Sequence, residues 1–139
     1  MITERNPASV QAPLGPYAQG LEATPPARWL FLSGQTPARP DGSIPADFSE
    51  QAELVWARIL AVLDDAGMNA AHIVQIRSYL TDRQHVPAYS AIKRRILEAA
   101  APAANPASVG LIVAGLFNPA YLLEVEVTAL AYDNLPDGA

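Results

Sequence analysis

Apolar and polar positions along this chain change period several times, and each change marks an element. The run "ARWLFLSGQ" holds Trp29, Leu30, Phe31 and Leu32 without interruption and stops at Ser33-Gly34. Its length and aromatic content predict a buried strand. Asp41-Gly42 then signals a tight turn. From Asp47 the spacing becomes helical: Leu54, Val55, Ile59, Val62 and Leu63 share one face, Asp47 with Glu50 resembles a capping box, and Gly67 stands where a C-cap belongs.

The stretch "HIVQIRSYL" alternates again. Ile73, Gln75 and Arg77 fall on one parity and Val74, Ile76 and Ser78 on the other, which predicts a strand. Pro87 suits a first helical turn, and Tyr89, Ile92 and Ile96 extend a second helix to near Ala99 or Ala100. "SVGLIVAGL" and "YLLEVEVTALAY" close the chain. In the latter Leu123, Val125 and Val127 alternate with Leu122, Glu124, Glu126 and Thr128. Asn118-Pro119 between the two predicts a hairpin turn. With one further short strand near the N-terminus, the order predicts an α+β fold: a single mixed sheet with both helices on one face. The other face lacks elements to cover it, so a further subunit is expected there.

A length of 139 residues predicts a single domain, spanning 1–139, able to bury a core without staples. Thirteen prolines gather before residue 46 and again from Pro102 to Pro119, marking loops rather than a domain boundary. No apolar run reaches membrane-spanning length, and the N-terminal residues lack the apolar core of a signal peptide, so a cytoplasmic location is expected. The chain has no cysteine, which removes disulfides, thiolate metal sites and cysteine nucleophiles. A net charge of −5 makes nucleic acid a poor partner. The nearest basic cluster, "IKRRI", points its three cations in three directions and reads as a solvated helix face.

Metal and triad chemistry find no support. His72 and His85 bracket a predicted strand and lie about 40 Å apart at about 3.3 Å per fully extended residue. No HExxH, GxSxG, Walker or GxGxxG pattern is present in a fitting context. Carboxylates on an apolar strand are more telling. Glu124 and Glu126 share a parity about 7 Å apart. A carboxylate among leucines and valines is costly unless paired or exposed. Either that face meets solvent, or one Glu enters a cleft where it handles protons or positions a water. Tyr17, held after the stiff Gly15-Pro16, and Gly34, at a strand end where backbone can approach a ligand, are candidates of the same kind.

Taken together, "LGPYAQG", "FLSGQTP" followed by "DGSI", "ILAVLDDAGMNAAHIVQIRSYLTD" and "YLLEVEVTALAY" resemble the RidA/YjgF family over Gln11 to Tyr132. The resemblance implies a chorismate-mutase-like fold with a body over about 11–132 and short flexible ends. It further implies a homotrimer with pockets between subunits, and cofactor-free, metal-free hydrolysis of enamines or imines. By the same resemblance Glu124 organises the attacking water, Tyr17 orients substrate, and the Gly34 backbone lines the pocket. The family's substrate-anchoring arginine falls at Ser108, a pocket asparagine at Ser90, and an often-cysteine position at Gly110. Serine cannot supply the planar, bidentate grip of arginine on a carboxylate. Arg83 or Arg94, on or near the second helix, could substitute. Two functions are therefore expected: a deaminase-type hydrolase with altered substrate preference, or a non-catalytic metabolite-binding trimer. The family's older association with ribonucleases fits poorly with the acidic charge.

Overall fold

The structure, a computed structural model, describes residues 1–9, 12–25, 27–100 and 102–132. The elements are β1 (Ile2–Arg5), β2 (Gly20–Ala23), β3 (Arg28–Phe31), α1 (Phe48–Asp65), β4 (Ile73–Leu80), α2 (Val86–Ala99), β5 (Ala107–Ile112) and β6 (Leu123–Ala131). Short 3-10 turns, Ala70–His72 and Arg83–His85, precede β4 and α2. The mixed α+β architecture with two helices agrees with the sequence pattern.

Of the box expected at the start of α1 the Asp47 half forms, while the Glu50 carboxylate pairs with Arg39 at 3.5 Å. The Asp47 side chain accepts from Glu50 N at 3.0 Å, which satisfies one of the orphan donors of the first turn. Gly67 takes a φ of 70° just past the helix, a conformation that costs glycine nothing and other residues dearly. The buried stripe Val55, Trp56, Ile59 and Leu63 of α1 and Leu97 of α2 meets Ile76, Leu80, Leu123, Val125 and Val127 in one core. Both helices therefore cover the same sheet face.

Sheet order corrects one expectation. The main sheet runs β3-β6-β4-β5, with β4–β5 parallel and the other pairs antiparallel. β5 and β6 are not a hairpin, because β4 lies between them. A parallel pair needs a crossover, and α2 supplies it between β4 and β5. Residues 113–122 then carry the chain past β4. Buried Gln51 of α1 ties this segment down: its Nε2 donates to Ala120 O at 2.9 Å, and its Oε1 accepts from Leu122 N at 2.8 Å. A second correction concerns the expected single sheet: at the N-terminal end β1 pairs with β2 as a separate two-stranded sheet. The C-terminal end, residues 133–139, lies outside the described residues.

Candidate functional site

Strand alternation places the candidate residues on opposite sides of one sheet. Ile76, Ser78 and Leu80 of β4 face the helices, so the alternate residues Gln75, Arg77 and Tyr79 face away from them. In register, Glu124 pairs with Tyr79 and Glu126 with Arg77. Both glutamates thus project from the face the helices leave open.

On that face the two carboxylates have different surroundings. Tyr79 donates its hydroxyl to Glu126 Oε1 at 2.6 Å. This bond, with partial burial and the Glu126 charge, raises the Tyr79 phenol above its ordinary value. The Glu124 carboxylate makes no hydrogen bond among the described residues. Instead it lies against Gly34, which follows β3 and is fastened to β6 by Gln35 N donating to Val125 O at 2.7 Å. A Cβ at Gly34 would overlap the Glu124 carboxylate and come within 3.0 Å of its Cδ. Only glycine leaves Glu124 where it is.

The second group of residues lies at the β5 edge. Ser108 registers with Ile76 and Gly110 with Ser78, so both face the helix side. There α2 and β5 enclose a cavity of about 200 Å³ lined by Ser78, Tyr89, Ser90, Lys93 and Gly110 among others. The Lys93 ammonium donates to Ser108 Oγ at 3.4 Å and stands 5.8 Å from the Tyr89 ring centroid. Burial, and then the neighbouring Arg94 charge, lower the Lys93 amine below its ordinary value. Tyr89 and Ser78 share a buried hydrogen bond of 2.5 Å between their hydroxyls. Burial pushes the Tyr89 phenol up to about 12, against the opposing pull of Ser78.

Tyr17 sits beside the start of β5, since Ala18 N donates to Pro106 O at 2.9 Å. Its hydroxyl accepts from Leu14 N at 3.0 Å. The structure thus joins Gly34 with Glu124, and Ser90, Gly110 and Ser108 around the edge cavity. Within one chain it does not join Glu124 to Ser108.

Neither arginine weighed as a substitute at Ser108 occupies that place. Arg83 is exposed in the turn before α2, and Arg94 pairs with Glu98 at 3.7 Å, its guanidinium lying against Gly15. The cation beside Ser108 is Lys93, which the solvated-face reading of "IKRRI" missed. A signal was available: Lys93 is four residues after the core-facing Tyr89, so the two share one helix face. The histidines have local duties. His72 Nδ1 accepts from Asn69 N at 2.9 Å, and His85 stacks on Phe48 at 4.3 Å between ring centroids. Among the described residues, no three His, Cys, Asp or Glu side chains are grouped to hold a metal.

Comparison with known proteins adds a family match: the model described as Endoribonuclease L-PSP fits residues 8–131. A RutC family protein of Aquifex aeolicus is 35% identical over 71 residues, 50% of this chain and 54% of that protein. The chain therefore spans about half the length of that relative. Among solved structures, the Rid-family protein YyfB of Yersinia pestis superposes with a TM-score of 0.75 at 27% identity, covering 92% of this chain and 97% of that one. TdcF of E. coli, solved with bound serine, gives a TM-score of 0.70 at 28% identity, with 93% and 95% covered.

Proposed function

The chain belongs to the RidA/YjgF family, and from that premise we propose that it hydrolyses a small enamine or imine to a carbonyl compound and ammonia. The observation that carries this reading is Glu124, a carboxylate free of hydrogen bonds and seated where Gly34 alone makes room. Such a group is available as a general base. Glu124 takes a proton from a water while the water oxygen bonds to the imine carbon. The C=N electron pair moves to nitrogen, which takes that proton from Glu124. The carbinolamine then collapses: its hydroxyl proton passes by way of Glu124 to the amino group, the C–N bond breaks, a C=O bond forms and ammonia leaves. The Gly34 carbonyl accepts from the substrate nitrogen, and Tyr17 borders the substrate. This chemistry requires neither metal nor cofactor.

A complete site needs both halves, and we assign their union to a chorismate-mutase-like homotrimer. In it the open face of one copy receives the β5 edge of the next. Exposed apolar residues support this: Phe31 is 74% exposed and Leu111 47%, on a face the helices leave bare. Size-exclusion with light scattering is expected to give three times the chain mass, and a monomer overturns the assembly. A cytoplasmic location accords with this role. No described helix is long and apolar enough to cross a membrane. RNA cleavage accords less well with a charge of −5.

Ammonia and carbonyl release from freshly generated imines tests the reaction. Glu124→Gln is expected to lower turnover by about 10²- to 10⁴-fold, the usual worth of a general base. A second reading, metabolite binding without turnover, is favoured by the neutral Ser108. Silence of the wild type across acidic, neutral and bulky imines, with ligand affinity unmoved by Glu124→Gln, selects it.

A further inference from the structure

Lys93 and the adjoining Ser108 meet where β5 begins, while Leu80, Val86 and Ile112 line the other end of the cavity between α2 and β5, with Ser78, Tyr89 and Ser90 between them. Lys93 supplies the one charge. The two arginines that follow it are already paired, Arg94 with Glu98 and Arg95 with Glu53. No carboxylate among the described residues lies within ion-pair distance of Lys93, whose contacts are a neutral hydroxyl and an aromatic ring. A half-buried cation without a counter-ion is unfavourable and gains by accepting one.

We propose that Lys93 anchors the ligand, binding the carboxylate of a short-chain molecule whose aliphatic part packs on Leu80, Val86 and Ile112. An ammonium is a point charge with three donors, so it holds one carboxylate oxygen and leaves Ser90 and Ser108 to the other. The lowered pKa of Lys93 agrees with this, since burial without an anion is what disfavours its charge. The proposal deepens the hydrolase reading by naming the residue that holds the substrate where Ser108 stands in place of arginine, and rests on that reading only for the reaction.

Calorimetric titration with 2-oxopentanoate and with its methyl ester tests the anchor. Lys93→Gln is expected to weaken the acid by about ten- to a hundred-fold, the worth of one charge-assisted hydrogen bond, and to leave the ester unchanged. Lys93→Gln combined with Ser108→Arg returns a cation from the strand side and is expected to recover acid binding. Equal affinity of wild type and Lys93→Gln for the acid overturns the proposal. So does a wild type that binds neither compound, or both alike. Should Lys93→Gln fail to fold, the Lys93 Cε resonance of the wild type decides. Its shift with the acid alone supports the anchor, and its indifference overturns it. A wild type that binds the acid through Lys93 yet frees no ammonia from any imine overturns the hydrolase reading and leaves the anchor intact. Turnover that survives Lys93→Gln with KM unchanged does the reverse.

Discussion

The two faces of the four-stranded sheet are built from the same backbone and do opposite work. One presents Ile76, Leu80, Val125 and Val127 to α1 and α2 and is sealed except at its β5 edge, where the α2–β5 cavity lies. The other presents Tyr79, Glu124 and Glu126, with the stacked pair Trp29 and Phe31 exposed at its β3 edge. A period of two lets β6 carry carboxylates between valines without burying a charge. Stability and chemistry are thereby separated by one residue. Leu63→Ala, on the sealed side, is expected to cost about 2–5 kcal/mol in urea denaturation, through lost contacts and the cavity left behind. Glu124→Gln, on the open side, is expected to change stability by less than about 0.5 kcal/mol. Comparable losses from the two would erase the division of labour.

A sharper version compares two glycines. Gly34 has no room for a Cβ beside Glu124, whereas a Cβ at Gly110 would meet nothing within 4 Å. The atoms that must yield to Gly34→Ala belong to the end of the Glu124 side chain and not to backbone, so the fold should survive. Turnover is expected to fall by about a hundred-fold, as for a catalytic group displaced by about 1 Å. Gly110→Ala should leave the urea midpoint close to wild type, and because its Cβ enters the ligand cavity any effect on the reaction should appear in KM.

Inside the sealed half, the Tyr89–Ser78 bond can be removed from one side. Tyr89→Phe leaves the Ser78 hydroxyl, 2% exposed, without its partner and is expected to cost about 1–3 kcal/mol. The same phenol gives a pH signature. Its folded pKa, about 12, lies above the ordinary value near 10. Below pH 10 both states hold the proton and the contribution is complete. Between 10 and about 12 the unfolded chain releases it first, so stability falls as pH rises. Urea midpoints across this window should fall less steeply in Tyr89→Phe, with the remaining slope including Tyr79, also raised.

Local pattern revealed most of this architecture. Alternation in "LLEVEVTAL" gave both faces of β6, and Asp47 with Gly67 gave the ends of α1. Pairing partners were not legible in the same way. Asn118-Pro119 has the chemistry of a hairpin turn, but β5 and β6 are ten residues apart (113–122), and β4 fits between them. Which strands become neighbours depends on where α2 crosses, a long-range choice that no short window records. The site shows the same limit. Glu124 and Gly34 were legible as chemistry on a strand and at its end. That Ser108 faces away from Glu124 follows only from the β4–β5 register.

The smallest expected effect isolates Lys93 from its neighbour. Arg94 and Lys93 differ by about 100° around α2, and that rotation separates an outward ion pair from a cavity charge. The Arg94–Glu98 pair is exposed, at 51% and 59%, and spans one helical turn. Such pairs contribute about 0.3–0.5 kcal/mol. Arg94→Ala should therefore move the urea midpoint only slightly. It also removes the positive charge that helps lower the Lys93 amine, so the ammonium persists to higher pH. Carboxylate affinity at neutral pH should be nearly unchanged and should decline at a higher pH than in wild type. Titrations with 2-oxopentanoate from pH 7 to 10 measure both. A loss of affinity at neutral pH in Arg94→Ala would transfer the anchoring role to Arg94 and end the contrast between the two cations.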